Sequence, residues 1–177
     1  MRHTDGASKC SASESRELGF SVPRERQAMT TAPILAKYII VCCSGDGKGI
    51  TNLKLQKLLY YAQAWKLALY GKPLFNDPIQ AWVHGPVVPP VFREYRDFKW
   101  APLPVDHTRP EPQREVCSHV AEVLAAYGNF DASQLERLTH SEDPWRDARR
   151  GLPGDMASTN EINPEAMLKY YRALLNG

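Results

Sequence analysis

A chain of 177 residues, 43% apolar and 24% charged, has room for one domain with a substantial core but not for two comfortable ones. Its 22 basic and 20 acidic side chains are interspersed, and a formal charge of +2 gives no electrostatic footprint for nucleic acid or anionic lipid. No apolar run approaches the ~20 residues of a membrane helix and no signal-type apolar segment opens the chain, so no membrane association and a cytoplasmic location are expected.

Residues 1–28 are rich in Ser, Arg and Glu and show neither helical nor strand periodicity. They are expected to form a disordered N-terminal leader, with the folded domain spanning 29–177 and translation naturally beginning at Met29, or the leader dispensable. From Thr31 onward the pattern is helix after helix. Thr31 is placed to cap a first helix with Ile34, Leu35, Tyr38, Ile39 and Cys42 on one face. "SGDGKGI" ends it. A longer helix runs from a Thr51 or Asn52 cap to Gly71, with Leu55, Leu58, Leu59, Ala62, Trp65 and Leu69 as a stripe. Leu53, Tyr60, Tyr61 and Leu67 make its other faces apolar too, which marks it as the central helix of a bundle.

"DPIQAWVHG" alternates Ile79, Ala81 and Val83 with polar or bulky neighbours, and predicts a short strand near 78–84. Gly85 before Pro86 is barred from the right-handed helical region, so the strand must stop at His84 and turn. Val87 and Val88 then bridge to Pro89-Pro90, which launch a helix bearing Val91, Phe92, Tyr95 and Phe98. Trp82 is large enough to cover this joint. After a proline-rich loop, a helix near 113–127 turns Val116, Val120, Val123, Leu124 and Tyr127 inward and stops at Gly128. Asp131 caps a short amphipathic segment, and Ser141, Glu142 and Asp143 read as the cap and acidic first turn of a helix begun by Pro144. Asn163 and Pro164 start the last helix, with Met167, Leu168, Tyr171 and Leu174 packing. The fold expected is mainly α with a minor strand element, a compact single-domain bundle around the helix near 52–70.

Chemistry-bearing patterns are sparse. The four cysteines (Cys10, Cys42, Cys43 and Cys117) contain no C-x-x-C, and no histidine stands at metal-ligand spacing from a cysteine or another histidine. Free thiols are expected, with no metal and no cofactor. "SGDGKG" lacks the phosphate-loop order, because Gly49 follows the lysine and a helix precedes the loop. A cysteine hydrolase built from Cys42 or Cys43 with His84 and Asp77 has no local signature. His140 beside Glu142 and Asp143 suggests acid–base work, but the helix-start reading is simpler. Arg146, Arg149 and Arg150 cluster where a helix end favours positive charge anyway.

Two separated segments carry more information: "LQKLLYY" with the later "AWVHGPV", and "LTHSEDPW". In this order they resemble the Panacea-domain antitoxins, the SocA-like family of bacterial toxin–antitoxin systems, over about residues 30 to 175. The resemblance implies a mainly helical, non-enzymatic domain that neutralises a cognate protein toxin, encoded next to it, by direct binding. It also implies an alternative, an adaptor delivering the toxin to an AAA+ protease. A small DNA-binding regulator is a rival reading of the residues themselves, but the 52–70 helix, with Lys54, Lys57 and Lys66 on the densest apolar surface, is better suited to the core. No catalytic residues carry over. The motif residues Leu55, Gln56, Lys57, Leu58, Tyr60, Trp82, Gly85, Pro86, His140, Pro144 and Trp145 are expected to be scaffold. By residue type, the candidates for toxin contact are whichever of Tyr60, Tyr61, Tyr70, Arg93, Arg96, Arg146 and Arg149 prove exposed.

Overall fold

The computed structural model describes residues 29–45, 47–108 and 111–176; the expected leader 1–28 lies outside the described residues. Thr31 accepts from the backbone of Ile34 to open α1 (Ala32–Cys42). Thr51 does the same through Lys54 for α2 (Asn52–Tyr70), which ends on Gly71 at φ 69. A hairpin of β1 (Gln80–Trp82) and β2 (Gly85–Val87) leads into α3 (Pro89–Tyr95) and one 3-10 turn, Arg96–Phe98. Then come α4 (Arg114–Tyr127), α5 (Ala132–Ser141), α6 (Asp143–Ala148) and α7 (Pro164–Leu175). Asp131 and Gln134 form a reciprocal capping box on α5, and Asn163 caps α7.

Helix α2 is the axis of the molecule. Thirteen of its nineteen residues are buried, on every face, as its all-round apolar pattern requires. α1, α3, α4, α5, α7 and the hairpin pack around it. The core is continuous from Ala32 to Tyr171, with Leu35, Leu55, Leu58, Leu59, Phe75, Val91, Val120, Leu135 and Met167 among its members. No helix of the described residues is long and apolar enough to cross a membrane.

Two local expectations are corrected. The strand near 78–84 is instead one arm of a hairpin that reverses at Val83-His84, pairing Gln80 with Val87, Ala81 with Pro86 and Trp82 with Gly85. Neither Val83 nor His84 takes a positive φ, so a primed turn is not used, and Gly85 at φ 92 completes the reversal. Cys42, Leu69 and Leu174 are exposed rather than packed, because each lies in the last turn of its helix, where the chain leaves the core. On α4, His119 joins the buried valines, and its Nε2 donates to the Ala62 carbonyl 2.8 Å away.

Candidate functional site

The motif segments meet at the hairpin. Gln56 Oε1 accepts from the Val88 amide at 2.8 Å, Gln56 Nε2 donates to Asn52 Oδ1 at 2.9 Å, and Asn52 Nδ2 donates to the Phe92 carbonyl at 3.2 Å. One residue on, Lys57 Nζ donates to the Pro86 carbonyl at 3.1 Å from a site with 0% exposure. From the other side Trp145 Nε1 donates to the Trp82 carbonyl at 3.0 Å, and Arg149 Nη1 to the Ala81 carbonyl at 3.1 Å. The hairpin is thus clamped by side chains whose partners lie 29, 63 and 68 residues away in sequence.

Both buried cations lack a salt-bridge carboxylate among the described residues. Burial pushes the Lys57 amine down to about 7, with Glu136 pulling weakly the other way. Arg149 Nη2 spends its hydrogen bonds on the carbonyls of Pro153 and Met156, each at 2.6 Å. The guanidinium also lies 4.9 Å from the Trp145 ring centre. His140 stacks on Trp145 with centroids 4.1 Å apart, and burial lowers its pKa. Pro144 is buried in the first turn of α6.

A second polar cluster lies inside the bundle. Glu142 accepts from the hydroxyls of Tyr60 at 3.1 Å, Tyr61 at 3.0 Å and Tyr171 at 2.7 Å. Although Glu142 holds the cap position of α6, its side chain makes no cap bond and turns inward. Of Ser141, Glu142 and Asp143, read as cap and acidic first turn, only Asp143 lies in that turn. Desolvation raises its pKa, against the three hydroxyl donors that favour the carboxylate. Burial and the neighbouring carboxylate push all three tyrosines up. Tyr127 stacks on Tyr61 at 3.9 Å and accepts from Trp65 Nε1 at 2.9 Å, closing the aromatic shell.

Of the seven toxin-contact candidates, three fall inside. Tyr60, Tyr61 and Arg149 are buried at 0%, 0% and 2% exposure, because each serves an internal acceptor, and none presents a docking surface. Tyr70, Arg93, Arg96 and Arg146 are exposed but form no single patch. Tyr70 ends α2, about 25 Å along the helix from Leu53 at its start, with Lys66 Nζ 4.1 Å above its ring. Arg146 sits on α6, 3.6 Å from Asp143. Of the motif residues expected to be scaffold, Leu55, Leu58, Gly85 and Pro86 are buried, whereas Trp82 is only half-buried.

The rejected chemistries stay apart. Asp77 Oδ2 accepts from the Ala32 amide at the start of α1, while Cys42 ends the same helix, about 15 Å away. His84 pairs with Glu136 at 2.9 Å. Cys10 lies outside the described residues, among which no disulfide joins Cys42, Cys43 or Cys117. Among the described residues no three His, Cys, Asp or Glu side chains are placed to hold a metal ion. α2 is also unsuited to reading DNA. Lys57 is buried, Lys54 Nζ donates to the Gly128 carbonyl at 2.7 Å, and Lys66 covers Tyr70.

What the surface does offer is a groove of about 530 Å³ beside the hairpin. Trp82 and Phe92 meet edge to face at 4.9 Å in its wall, with Leu53, Val83, Val87 and Trp100 alongside. Ala157, Ser158 and Thr159 form the opposite side, and His84, Arg96 and Lys99 also line it. Trp100 is 70% exposed, following Lys99 at φ 52. Sequence reading missed this groove because Trp100 and the 157–159 segment lie outside every periodic element.

Comparison with known proteins supplies the lineage. Residues 55–146 match the family described as "Antitoxin SocA-like, Panacea domain", a span that opens at Leu55 and closes just past Trp145. The chain is 38% identical over 109 residues to "Antitoxin SocA" of Caulobacter vibrioides (strain NA1000 / CB15N), covering 54% of this chain and 58% of that protein. The chain therefore spans well under two thirds of the length of this curated relative. No solved structure matches. With more than half of the chain inside the matched span, and the clamp and the Glu142 cluster built mainly from residues of that span, this protein belongs to the SocA-like antitoxin family with a Panacea domain.

Proposed function

We propose that this protein is the antitoxin of a bacterial type II toxin–antitoxin system and neutralises a cognate protein toxin by direct binding in the cytoplasm. The family match over residues 55–146 carries the reading. The internal geometry supports binding over catalysis. Lys57, His119, Glu142, Tyr60, Tyr61 and Tyr171 are committed to carbonyls or to one another within the core. A rigid frame with an apolar groove at its edge suits protein recognition, where a few aromatic and arginine side chains supply most of the affinity.

The test is co-expression of the small reading frame beside this gene, with and without this protein. Rescue of growth together with a stoichiometric complex on co-purification is the expected result. Rescue without a complex indicates delivery to an AAA+ protease instead. If no adjacent gene is toxic under strong induction, the antitoxin reading fails.

A further inference from the structure

We infer that the groove between the hairpin and the Arg96–Trp100 segment is the docking site for an apolar side chain flanked by acidic residues, presented by the partner protein. This rests on the antitoxin reading above, and names the surface and the chemistry that reading leaves open. The groove volume, about 530 Å³, is that of a ligand-sized cleft, and its walls are aromatic and aliphatic. Trp82 and Phe92 are held in place from behind: the Phe92 carbonyl by Asn52, the Trp82 carbonyl by Trp145, and Trp82 Nε1 by Gln80 Oε1 at 2.8 Å. Such pre-ordered aromatic walls lower the entropy cost of binding. Trp100, mostly exposed, has a large apolar face that the other described residues leave largely uncovered.

Charge selects the occupant. Arg96 and Lys99 line the groove, as does His84, which is paired to Glu136, and among the described residues no Asp or Glu lines it. Asp97 pairs with Arg96 at 3.5 Å, but it is 90% exposed and outside the lining, so it screens Arg96 only weakly. A second basic side chain, Lys99, lines the groove with it. Acidic residues on either side of an inserted apolar anchor meet this rim, whereas a basic segment is repelled. The groove is one anchor within a larger contact, since a specific complex buries about 1,600 Å² in total.

The experiment uses the full chain and the purified product of the adjacent toxic gene. The variants are Arg96→Glu/Lys99→Glu and Trp100→Ser, with Arg114→Glu/Lys169→Glu as a charge-matched control on exposed residues outside the groove. All should melt within ~2 °C of wild type, because these side chains bury little. Both groove variants should weaken toxin binding at least tenfold and lose growth rescue, while the control keeps both. Wild-type and Trp100→Ser affinities should fall as salt rises, and the Arg96→Glu/Lys99→Glu variant should lose that slope. If the groove variants bind and rescue like wild type, the site is elsewhere and the antitoxin reading stands. Weakened binding with an unchanged salt slope removes the acidic partner. A change in the mass of the protein alone on light scattering shows that a second copy fills the groove, and overturns the proposal. If wild type neither binds nor rescues, the antitoxin reading itself falls and takes this occupant with it.

Discussion

Lys57 and Gly85 leave no room for each other to grow: a Cβ on Gly85 would lie 2.8 Å from both Cε and Nζ of Lys57, and equally close to Thr139 Oγ1. Gly85 also stands at φ 92, where side chains are strained. Gly85→Ala should therefore destabilise the protein by about 3 kcal/mol, combining backbone strain with overpacking. A thermal melt of this variant within ~1 °C of wild type would show that the corner can relax.

The buried amine gives stability a pH dependence with a definite sign. Folding lowers the Lys57 pKa from 10.5 to about 7, so between these values the unfolded chain holds more protons than the folded one. Stability from this group is then fully present above pH 10.5 and is lost as pH falls through about 7. Urea melts between pH 7 and 9.5, below the range where tyrosines ionise in the unfolded chain, should show a rise of at most about 1.4 kcal/mol per pH unit. Lys57→Met should lack this rise and leave the Pro86 carbonyl unpaired. Equal slopes in the two proteins would place the amine in contact with water.

Glu142 runs in the opposite direction. Its pKa is raised by burial, so its contribution is complete below its ordinary value of 4.5 and declines as pH climbs through the folded one. Glu142→Ala strands three tyrosine hydroxyls and should cost about 3 kcal/mol or more. Glu142→Gln keeps the shape but accepts at one oxygen only, and should cost about 1–2 kcal/mol at acid pH, a deficit that shrinks as pH rises. Denaturant melts of the Gln variant at pH 4.5 and 7 check the sign; a deficit that grows with pH contradicts it.

Arg149 ties the segment after α6 to the hairpin, bonding the Pro153 and Met156 carbonyls on one side and the Ala81 carbonyl on the other. Arg149→Ala should release residues 150–157, giving rapid thermolysin cleavage there well below the melting temperature. Arg149→Lys should not restore protection, since one ammonium cannot span acceptors on two sides of the side chain. Protection retained in either variant would mean the segment is held by other contacts.

We also propose that residues 29–177 fold alone, because the core runs from Ala32 to Tyr171. A chain begun at Met29 should melt within ~2 °C of the full-length protein and keep partner binding. A larger drop would assign residues 1–28 a role in stability.

The helices were readable because their signals are local. Thr31, Thr51, Asp131 and Asn163 each bond an amide two or three residues away, and the all-round apolar pattern of α2 identified the axis. The interior polar network was not readable, because Glu142 meets Tyr60 across 82 residues and Arg149 meets Ala81 across 68. Glu and Arg are usually solvated, so residue type argued against burial at both positions. Lys57 did leave a trace: on a helix apolar on every side, a lysine between Leu55 and Leu58 must face protein. Tyr60 and Tyr61 carry the same signal, and ranking them as surface contacts by residue type overrode it.

The clamp also separates what this chain must keep from what it can change. The backbone beneath Trp82, Val87 and Phe92 is anchored by Trp145 and Lys57, which lie outside the groove lining, and by Gln56 and Asn52, which line it but spend their amides on one another and on the backbone. A wall residue exchanged for another of similar bulk therefore stays at the same coordinates and offers a different surface. Divergence of such a chain can swap its interlocutor through single substitutions at the rim without renegotiating the fold.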